Sequence, residues 1–267
     1  MLNQRNTSVI CFTNNKGGSG KSTSCANLGY ELSQAGNKVL LIDGDMQLNL
    51  SLTLFPEDAV LEMAGSGKTL FDAICKKDDL KKYIVASPYD NLDLIPSSTL
   101  MNQVEYEIFN KVQREYILKK CLINICEDGI YDYILIDAPP TLGIWVINIL
   151  CAANHIIVPV EASPWGLFGL ANMFDFLSEM KDIVDADVMG VLITKVDERK
   201  SYYKQTRKIL DSYSNLHIFN SFIHVDASIE WAQDESKPVA VYKKATRSSN
   251  EYKQLAKEVL EYGSRKR

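Results

Sequence analysis

The stretch Asn15-Lys16-Gly17-Gly18-Ser19-Gly20-Lys21-Ser22-Thr23 decides how this chain folds. It follows an apolar, strand-like run at residues 9–12 and precedes a helix-like run at residues 24–34. A glycine-rich turn between a strand and a helix directs several backbone N–H groups, and the positive end of the helix, at one point. The sequence therefore predicts a site for phosphate groups at this turn.

The loop departs from the usual phosphate-binding pattern G-x-x-x-x-G-K-[ST] at its start, where Asn15 replaces the first glycine. Its glycines allow a tight curl and a close approach to the ligand. In such a loop Lys21 reaches the β- and γ-phosphates, and the Ser22 hydroxyl binds Mg²⁺. A similar-looking run at residues 65–69 lacks a preceding strand, so we expect an ordinary loop that enters a helix at Leu70.

Apolar, strand-like runs alternate along the chain with amphipathic, helix-like runs. The predicted strands cover residues 9–13, 38–43, 92–95, 133–136, 155–160 and 188–193, with a weaker seventh at 217–219. The main predicted helices cover residues 103–126, 167–183, 202–212 and 249–262. Continuously apolar strands are typical of strands buried on both faces. The pattern predicts an α/β fold with a doubly wound, mostly parallel sheet flanked by helices, and ligands at the carboxyl ends of its strands.

Length and composition narrow the class of protein further. The 267 residues suit one large α/β domain, because no linker, repeat or low-complexity tract divides them. A net charge of −5 argues against a wholly basic nucleic-acid binder and leaves room for a local basic patch. Six cysteines without a CxxC pair indicate buried, reduced thiols, and no apolar run is long enough to span a membrane.

Acidic residues stand at the ends of two predicted strands. Asp137 ends the apolar run at 133–136 and fits the aspartate that positions Mg²⁺ in P-loop ATPases. Asp43 and Asp45 follow the second predicted strand. Because the carboxyl ends of parallel strands meet at one edge of a sheet, we expect all three carboxylates near the phosphate loop.

The extra lysine, Lys16, makes the loop resemble the deviant Walker A motif of the ParA/MinD ATPases. The resemblance implies that Lys16 reaches across a dimer interface to the partner's nucleotide, while Lys21 acts within its own chain. The whole loop then binds the nucleotide phosphates: Lys16, Gly17, Gly18, Ser19, Gly20, Lys21, Ser22 and Thr23.

The run Asp43-Gly44-Asp45-Met46-Gln47-Leu48-Asn49 resembles the D-x-D-P-Q-x-N segment of the same family. The resemblance implies that Asp45 orients or activates the attacking water, so that Lys16, Lys21 and Asp45 are the candidate catalytic residues. It also places Asp43 near the metal, which gives Ser22, Asp43 and Asp137 as the candidate metal set. Met46 replaces the usual proline, a change that removes no functional group.

The resemblance extends over nearly the whole chain. The runs at 68–74, 93–98 and 137–143 match family segments, and residues 229–239 resemble the segment that borders the adenine. His224 stands where the family commonly has Arg or Pro. Because the phosphate loop begins by residue 15, we expect one ATPase domain over residues 1–267, without an N-terminal helix-turn-helix domain.

The compact architecture is similar to that of the ParA/Soj partition ATPases. The resemblance implies an ATP sandwich homodimer with Mg²⁺, non-specific binding to double-stranded DNA and slow basal hydrolysis. It also implies a ParB-type partner that stimulates hydrolysis, a role in segregating a plasmid, chromosome or mobile element, and a cytoplasmic, nucleoid-associated protein.

A DNA-binding surface requires clustered cations, and a local basic excess follows the last strong strand prediction. The candidate DNA-binding residues are Lys195, Arg199, Lys200, Lys204, Arg207, Lys208, Lys243, Lys244 and Arg247. The alternative interpretation is an ordinary solvated helix face.

Two other functions stay open at this point. A MinD-like ATPase would end in an amphipathic, lipid-binding helix; residues 251–262 have apolar residues at helical spacing but also three glutamates, which favours a packed helix. A related ATPase could position a protein cargo instead of DNA. The absence of a CxxC pair in the sequence argues against an iron–sulfur carrier, and the absence of a terminal tyrosine cluster argues against a tyrosine kinase.

Overall fold

A computed structural model describes residues 7–213 and 216–265. One seven-stranded sheet forms the centre of the molecule. Its strands are β1 Ser8–Phe12, β2 Val39–Asp43, β3 Val85–Ala86, β4 Leu92–Ile95, β5 Tyr133–Asp137, β6 His155–Glu161 and β7 Asp187–Thr194. They lie in the order β3-β4-β2-β5-β1-β6-β7, and every neighbouring pair is parallel except β3 and β4. The predicted doubly wound α/β fold is confirmed; the two-residue β3 was not predicted.

Twelve α-helices are present in the described residues. They are α1 Lys21–Gln34, α2 Asn49–Leu52, α3 Glu57–Gly65, α4 Leu70–Lys76, α5 Val104–Phe109, α6 Ile117–Asp128, α7 Ile144–Ala152, α8 Pro164–Glu179, α9 Ser201–Asp211, α10 Ala227–Asp234, α11 Val239–Tyr242 and α12 Arg247–Arg265. Three short 3₁₀ helices lie at Leu80–Tyr83, Thr99–Gln103 and Arg114–Tyr116.

Alternate side chains of the longer strands point into two separate cores, one on each face of the sheet. In β1, Val9 and Cys11 join the core covered by α4 to α8, which is completed by Leu210 of α9. Ile10 and Phe12 join the core covered by α1, α2 and α10 to α12. Burial on both faces explains why the central strands are continuously apolar.

Strand register brings the carboxyl ends of three strands to one level. Asp137 at the end of β5 pairs with Phe12 of β1 on one side and with Asp43 of β2 on the other. The loops that follow these strands therefore meet at one edge of the sheet, as the positions of the acidic residues predicted.

Local boundaries differ from the sequence predictions at several points. The single helix predicted over 103–126 is wrong in its middle, because Gln113 adopts φ 54 and a left-handed residue interrupts a right-handed helix. The weaker strand at 217–219 corresponds to one parallel bridge between Ile218 and Val191. The look-alike loop at 65–69 does enter a helix at Leu70, and Thr69 caps that helix in a capping box with Asp72.

The apolar face of α12 is covered by the body of the protein. Tyr252, Leu255 and Val259 are buried in the same core as Leu28 and Leu32 of α1. The prediction that residues 251–262 form a packed helix is thereby confirmed. Within residues 7–213 and 216–265, no helix combines the length and the apolar character that crossing a membrane requires.

Candidate active site

The phosphate loop runs from β1 to α1 and contains two residues in left-handed backbone conformation. Gly18 has φ 72 and Gly20 has φ 87, a region that glycine enters without steric cost. Gly20 is the N-cap of α1 and provides no side-chain cap. The first amides of α1 therefore keep their N–H groups for an anion, which is the arrangement that binds phosphate at helix N-termini.

Two strands on one side of β1, β6 and β7, hold the loop in place. Asn14 donates from Nδ2 to the main-chain oxygen of Pro159 in β6 at 2.7 Å, and its Oδ1 accepts from the Lys16 N–H at 3.0 Å. Thr194, the last residue of β7, donates from Oγ1 to the Ser19 oxygen at 2.8 Å. The shape of the loop is thus set by contacts with β6 and β7.

Lys21 is almost fully buried at the start of α1, with 6% of its surface exposed. Burial lowers the pKa of its ammonium, and the nearby carboxylates of Asp137 and Asp45 oppose that change. Nζ donates a weak hydrogen bond of 3.4 Å to the Lys16 oxygen. A buried cation at the mouth of a helix N-terminus is suited to a highly charged anion.

Asp137 is fully buried at the end of β5; the Ser22 hydroxyl lies nearby, and no hydrogen bond of normal geometry reaches either carboxylate oxygen from the described residues. Burial raises its pKa well above the ordinary value, the Asp43 charge adds to the rise, and the nearby Ser22 hydroxyl and Lys21 ammonium oppose it. Buried carboxylates are normally paired or bind metals. The two oxygens of Asp137, together with the Ser22 hydroxyl, therefore fit the oxygen ligands that Mg²⁺ requires.

Asp43 is also fully buried, but its oxygens are engaged by the protein. Oδ2 accepts hydrogen bonds from the Ser51 N–H at 2.9 Å and the Ser51 hydroxyl at 2.6 Å, and Oδ1 accepts from the Asp45 N–H at 3.3 Å. Burial raises its pKa to about 6 even though these hydrogen bonds favour the charged form. Asp43 thus links the turn at Asp45 to Ser51 of α2. A direct contact between Asp43 and a metal stays a prediction.

Asp45 follows two residues later and lines the cavity above the phosphate loop. Its Oδ1 accepts a hydrogen bond from the Gln47 N–H at 3.1 Å, which orients the carboxylate. Met46, between them, is 42% exposed. Lys21 lines the same cavity, so the structure brings Asp45 and Lys21 together around one space.

The cavity has a volume of about 550 Å³, large enough for a nucleotide, and is open to solvent on one side. Its floor is the phosphate loop, and its far wall consists of residues outside that loop and outside the two aspartate runs: Thr194, Ile223, His224, Asp226, Gln233 and Tyr252. Gln233 donates from Nε2 to Thr23 Oγ1 at 2.9 Å, which joins α10 to the phosphate loop. The resemblance of residues 229–239 to an adenine-bordering segment was the signal that pointed to this wall.

No group of three or more His, Cys, Asp or Glu side chains in the described ranges is arranged to hold a metal ion. A metal at this site would therefore share its coordination with ligand oxygens. That is the usual manner in which Mg²⁺ binds beside phosphates, through one or two protein groups.

Lys16 is directed to the outside of its own cavity. Its ammonium pairs with the Glu161 carboxylate and donates to Ser163 Oγ at 3.1 Å, and it is absent from the cavity lining. The structure therefore separates the two lysines of the loop, with Lys21 inside and Lys16 outside.

The predicted DNA-binding residues do not all lie together. Lys195 lines the cavity, and its ammonium is 3.7 Å from the point that a Cβ at Gly18 would occupy. This position favours a contact near the phosphate loop over one on a DNA surface. Its assignment to DNA stays a prediction that the structure does not favour.

The arginines and lysines among the remaining candidates differ in their partners. The arginines are paired with carboxylates of the same chain: Arg199 with Asp197, Arg207 with Asp211 and Arg247 with Glu251. The lysines are exposed and form no ion pair within the described ranges: Lys200, Lys204, Lys208, Lys243 and Lys244. The lysines are therefore the cations available to an anionic partner.

Comparison with known proteins gives consistent results. A family model described as an AAA domain matches residues 7–189. The chain is 32% identical to the sporulation initiation inhibitor protein Soj of Bacillus subtilis (strain 168), over 96% of this chain and 99% of that protein. It is 30% identical to the chromosome partitioning protein ParA of Caulobacter vibrioides (strain NA1000 / CB15N), over 94% of this chain and 93% of the relative.

A solved structure supports the fold assignment. The structure of cobyrinic acid a,c-diamide synthase from Mycobacterium smegmatis, with a bound ATP analog and magnesium, matches with a TM-score of 0.81 at 23% identity. The match covers 98% of this chain and 97% of that chain. At this identity the likeness concerns the fold of the molecule.

Proposed function

The chain belongs to the ParA/Soj family of P-loop ATPases, and from this premise we propose that it is an ATP-dependent partition ATPase acting as a single domain. It binds ATP with Mg²⁺, forms an ATP sandwich homodimer on DNA and hydrolyses ATP slowly until a ParB-type partner stimulates it. The observation that carries the proposal is the buried Asp137, whose two oxygens accept no hydrogen bond of normal geometry from the described residues, with Lys21 nearby at the N-terminus of α1.

Each residue of the proposed site has a separate role in phosphoryl transfer to water. Lys21 and the first amides of α1 bind the phosphates, and Asp45 orients the attacking water. Asp137 and Ser22 would hold Mg²⁺, which neutralises charge on the phosphates when bound. Asp43 supports them by fixing the turn through Ser51. Catalysis of this kind depends mostly on positioning and electrostatic stabilisation.

The outward direction of Lys16 supports the homodimer. An ammonium that lies outside its own cavity is available to the nucleotide of a second copy, which is the role that the family resemblance implies. Lys16 then completes the phosphate site of the partner copy, so that ATP is required for dimer formation.

The exposed lysines support contact with DNA. Lys204 and Lys208 lie on α9, and Lys243 and Lys244 lie in the turn before α12. Their ammonium groups lack protein carboxylate partners in the described residues, so phosphates can pair with them at little cost. We infer a cytoplasmic, nucleoid-associated protein that segregates a DNA molecule.

Binding to a random-sequence duplex tests this proposal. Fluorescence anisotropy is measured with ATP, with ADP and without nucleotide, across a salt series. We expect ATP-dependent binding whose affinity falls steeply with salt. Each phosphate contact contributes about −0.9 to the slope of the logarithm of the binding constant against the logarithm of the salt concentration.

Matched variants sharpen the test. The double variant Lys204→Ala, Lys208→Ala should bind DNA more weakly and with a smaller salt slope. Lys119→Ala, which removes an exposed lysine from α6, is the control and should leave binding unchanged. Absence of DNA binding in every nucleotide state would overturn the partition function and favour a protein cargo; co-sedimentation with liposomes in ATP would favour a MinD-like membrane role.

A further inference from the structure

The turn between Asp43 and Asp45 is held through the residue between them, Gly44. The Gly44 N–H donates to the main-chain oxygen of Asp137 at 3.0 Å. The Gly44 oxygen accepts a hydrogen bond of 2.9 Å from the indole Nε1 of Trp145. A Cβ at Gly44 would lie 2.6 Å from the Asp137 oxygen and 3.6 Å from that indole nitrogen, so the turn is enclosed on this side.

The hydrogen bond from Trp145 acts on the peptide group that carries Asp45. The Gly44 oxygen and the Asp45 N–H belong to the same planar peptide unit. The Trp145 indole N–H donates to the oxygen of this peptide unit, and the Asp43 carboxylate accepts a hydrogen bond of 3.3 Å from its N–H. Because both its oxygen and its N–H are hydrogen-bonded, rotation of this peptide plane is restrained, and with it the position of the Asp45 Cα.

Trp145 is itself firmly placed. It lies in the first turn of α7, is 2% exposed and is one of the largest buried side chains of the described residues. Its backbone N–H donates to Oε1 of Glu105 on α5 at 3.3 Å. A buried indole N–H needs an acceptor, and the only one that it finds in the described ranges is the Gly44 oxygen, so the indole is tied to the turn.

We propose that Trp145 is a positioning residue for ATP hydrolysis, which sets the direction of the Asp45 carboxylate by holding the Gly44 oxygen. The inference rests on the proposed role of Asp45 in orienting water. Misplacing a catalytic group by about 1 Å costs on the order of 100-fold in rate, so one hydrogen bond at the adjacent peptide has a large effect. Binding of the nucleotide phosphates depends on the loop at residues 15–23 and should be little affected.

Site-specific replacement of Trp145 by benzothienylalanine removes the indole N–H and preserves the size of the ring. We expect kcat for ATP to fall by about tenfold or more while KM changes less than about twofold. Replacement by 6-fluorotryptophan retains the N–H and should restore kcat. Trp165→Phe alters an indole that is 74% exposed on α8 and does not line the cavity, and it serves as the control.

Hydrogen–deuterium exchange of the nucleotide-free protein provides a readout that does not depend on turnover. Peptides that cover residues 43–48 should exchange faster in the benzothienylalanine variant and normally in the 6-fluorotryptophan variant. Unchanged exchange there, or a loss of kcat that 6-fluorotryptophan does not restore, would overturn the inference. A wild-type protein without ATP turnover would contradict the proposed function, and the exchange result would still decide the role of Trp145.

Discussion

Lys16 and Glu161 form an ion pair within one chain, at the edge of the phosphate loop. Both side chains are partly exposed, at 24% and 29%, and Ser163 at the N-cap of α8 accepts a second hydrogen bond from the lysine. A Lys16 that serves a partner's nucleotide must leave this pair. In the proposed ATP dimer, Lys16 would exchange a carboxylate partner for a phosphate partner.

The first prediction concerns Glu161. Glu161→Gln removes the negative charge that pairs with Lys16. We expect the dissociation constant of the ATP dimer to fall by up to about fivefold, because a partly exposed ion pair contributes up to about 1 kcal/mol. Sedimentation velocity over a concentration series in ATP measures the dimer constant. Lys16→Gln is the matched variant and should abolish the dimer; normal dimerisation of Lys16→Gln would contradict the role of Lys16 in the partner's site.

The second prediction concerns Asp45. Asp45→Ala should reduce ATP hydrolysis by roughly 100-fold or more, because the group that orients the water is lost. ATP affinity should remain, since Lys21 and the helix amides are unchanged. Phosphate release and equilibrium binding of a fluorescent ATP analogue measure the two properties. Turnover at the wild-type rate would show that Asp45 is not catalytic.

The third prediction compares two glycines of the same loop. Gly20→Ala places a Cβ on a residue with φ 87, which should cost about 1–2 kcal/mol in the free energy of unfolding. Gly17 has no heavy atom within 4 Å of a Cβ and no positive φ, so Gly17→Ala should leave stability nearly unchanged. Chemical denaturation of the nucleotide-free proteins makes the comparison. Equal stability of the two variants would show that Gly20 does not need its left-handed conformation.

The fourth prediction is a pH dependence from Asp226. This carboxylate caps α10 through Ser228 and accepts hydrogen bonds from the Ser248 N–H and hydroxyl, which join it to α12. Burial alone would raise its pKa, but these hydrogen bonds outweigh burial, and the pKa lies below the ordinary value. A lowered pKa in the folded state means that the carboxylate stabilises the fold above the unfolded-state pKa of about 3.9. This contribution is lost as the pH falls through the lower, folded-state value.

Asp226→Asn should therefore be less stable than wild type at pH 7, and the difference should shrink as the pH falls below about 4. Urea denaturation at pH 7, 5 and 3 measures the free energy of unfolding. A difference that is constant over this range would show that the charge of Asp226 does not stabilise the fold.

The sequence predicts the parts of the site that are contiguous in the chain. The phosphate loop and Asp137 stand directly after apolar strands, and parallel pairing alone brings their ends together. The engagement of Asp43 by Ser51 was not predictable, because it depends on where the short α2 begins. The far wall of the cavity joins Thr194, Gln233 and Tyr252 from distant parts of the chain, and their contacts arise from packing.

The same distinction applies to the fold: local sequence patterns predict most strands, but not the break in the helix or the direction of Lys195. Apolar periodicity predicts six of the seven strands, since both faces of each are buried. The break in the helix predicted at 103–126 depends on Gln113, whose left-handed backbone no helix propensity indicates. Lys195 was grouped with the basic residues near it in sequence, but the turn after β7 directs it to the cavity.

The packing of α12 on α1 has a consequence for protein synthesis. Lys21 is made early, yet the apolar side of its helix is covered by Leu255 and Val259, and the Tyr252 hydroxyl lies 3.5 Å from Ser24 Oγ. A ribosome adding roughly 5–20 residues per second needs many seconds to reach α12. Until that helix leaves the exit tunnel, the nascent chain carries a phosphate loop on an uncovered helix. The nucleotide site is therefore completed only after nearly the whole chain has been translated.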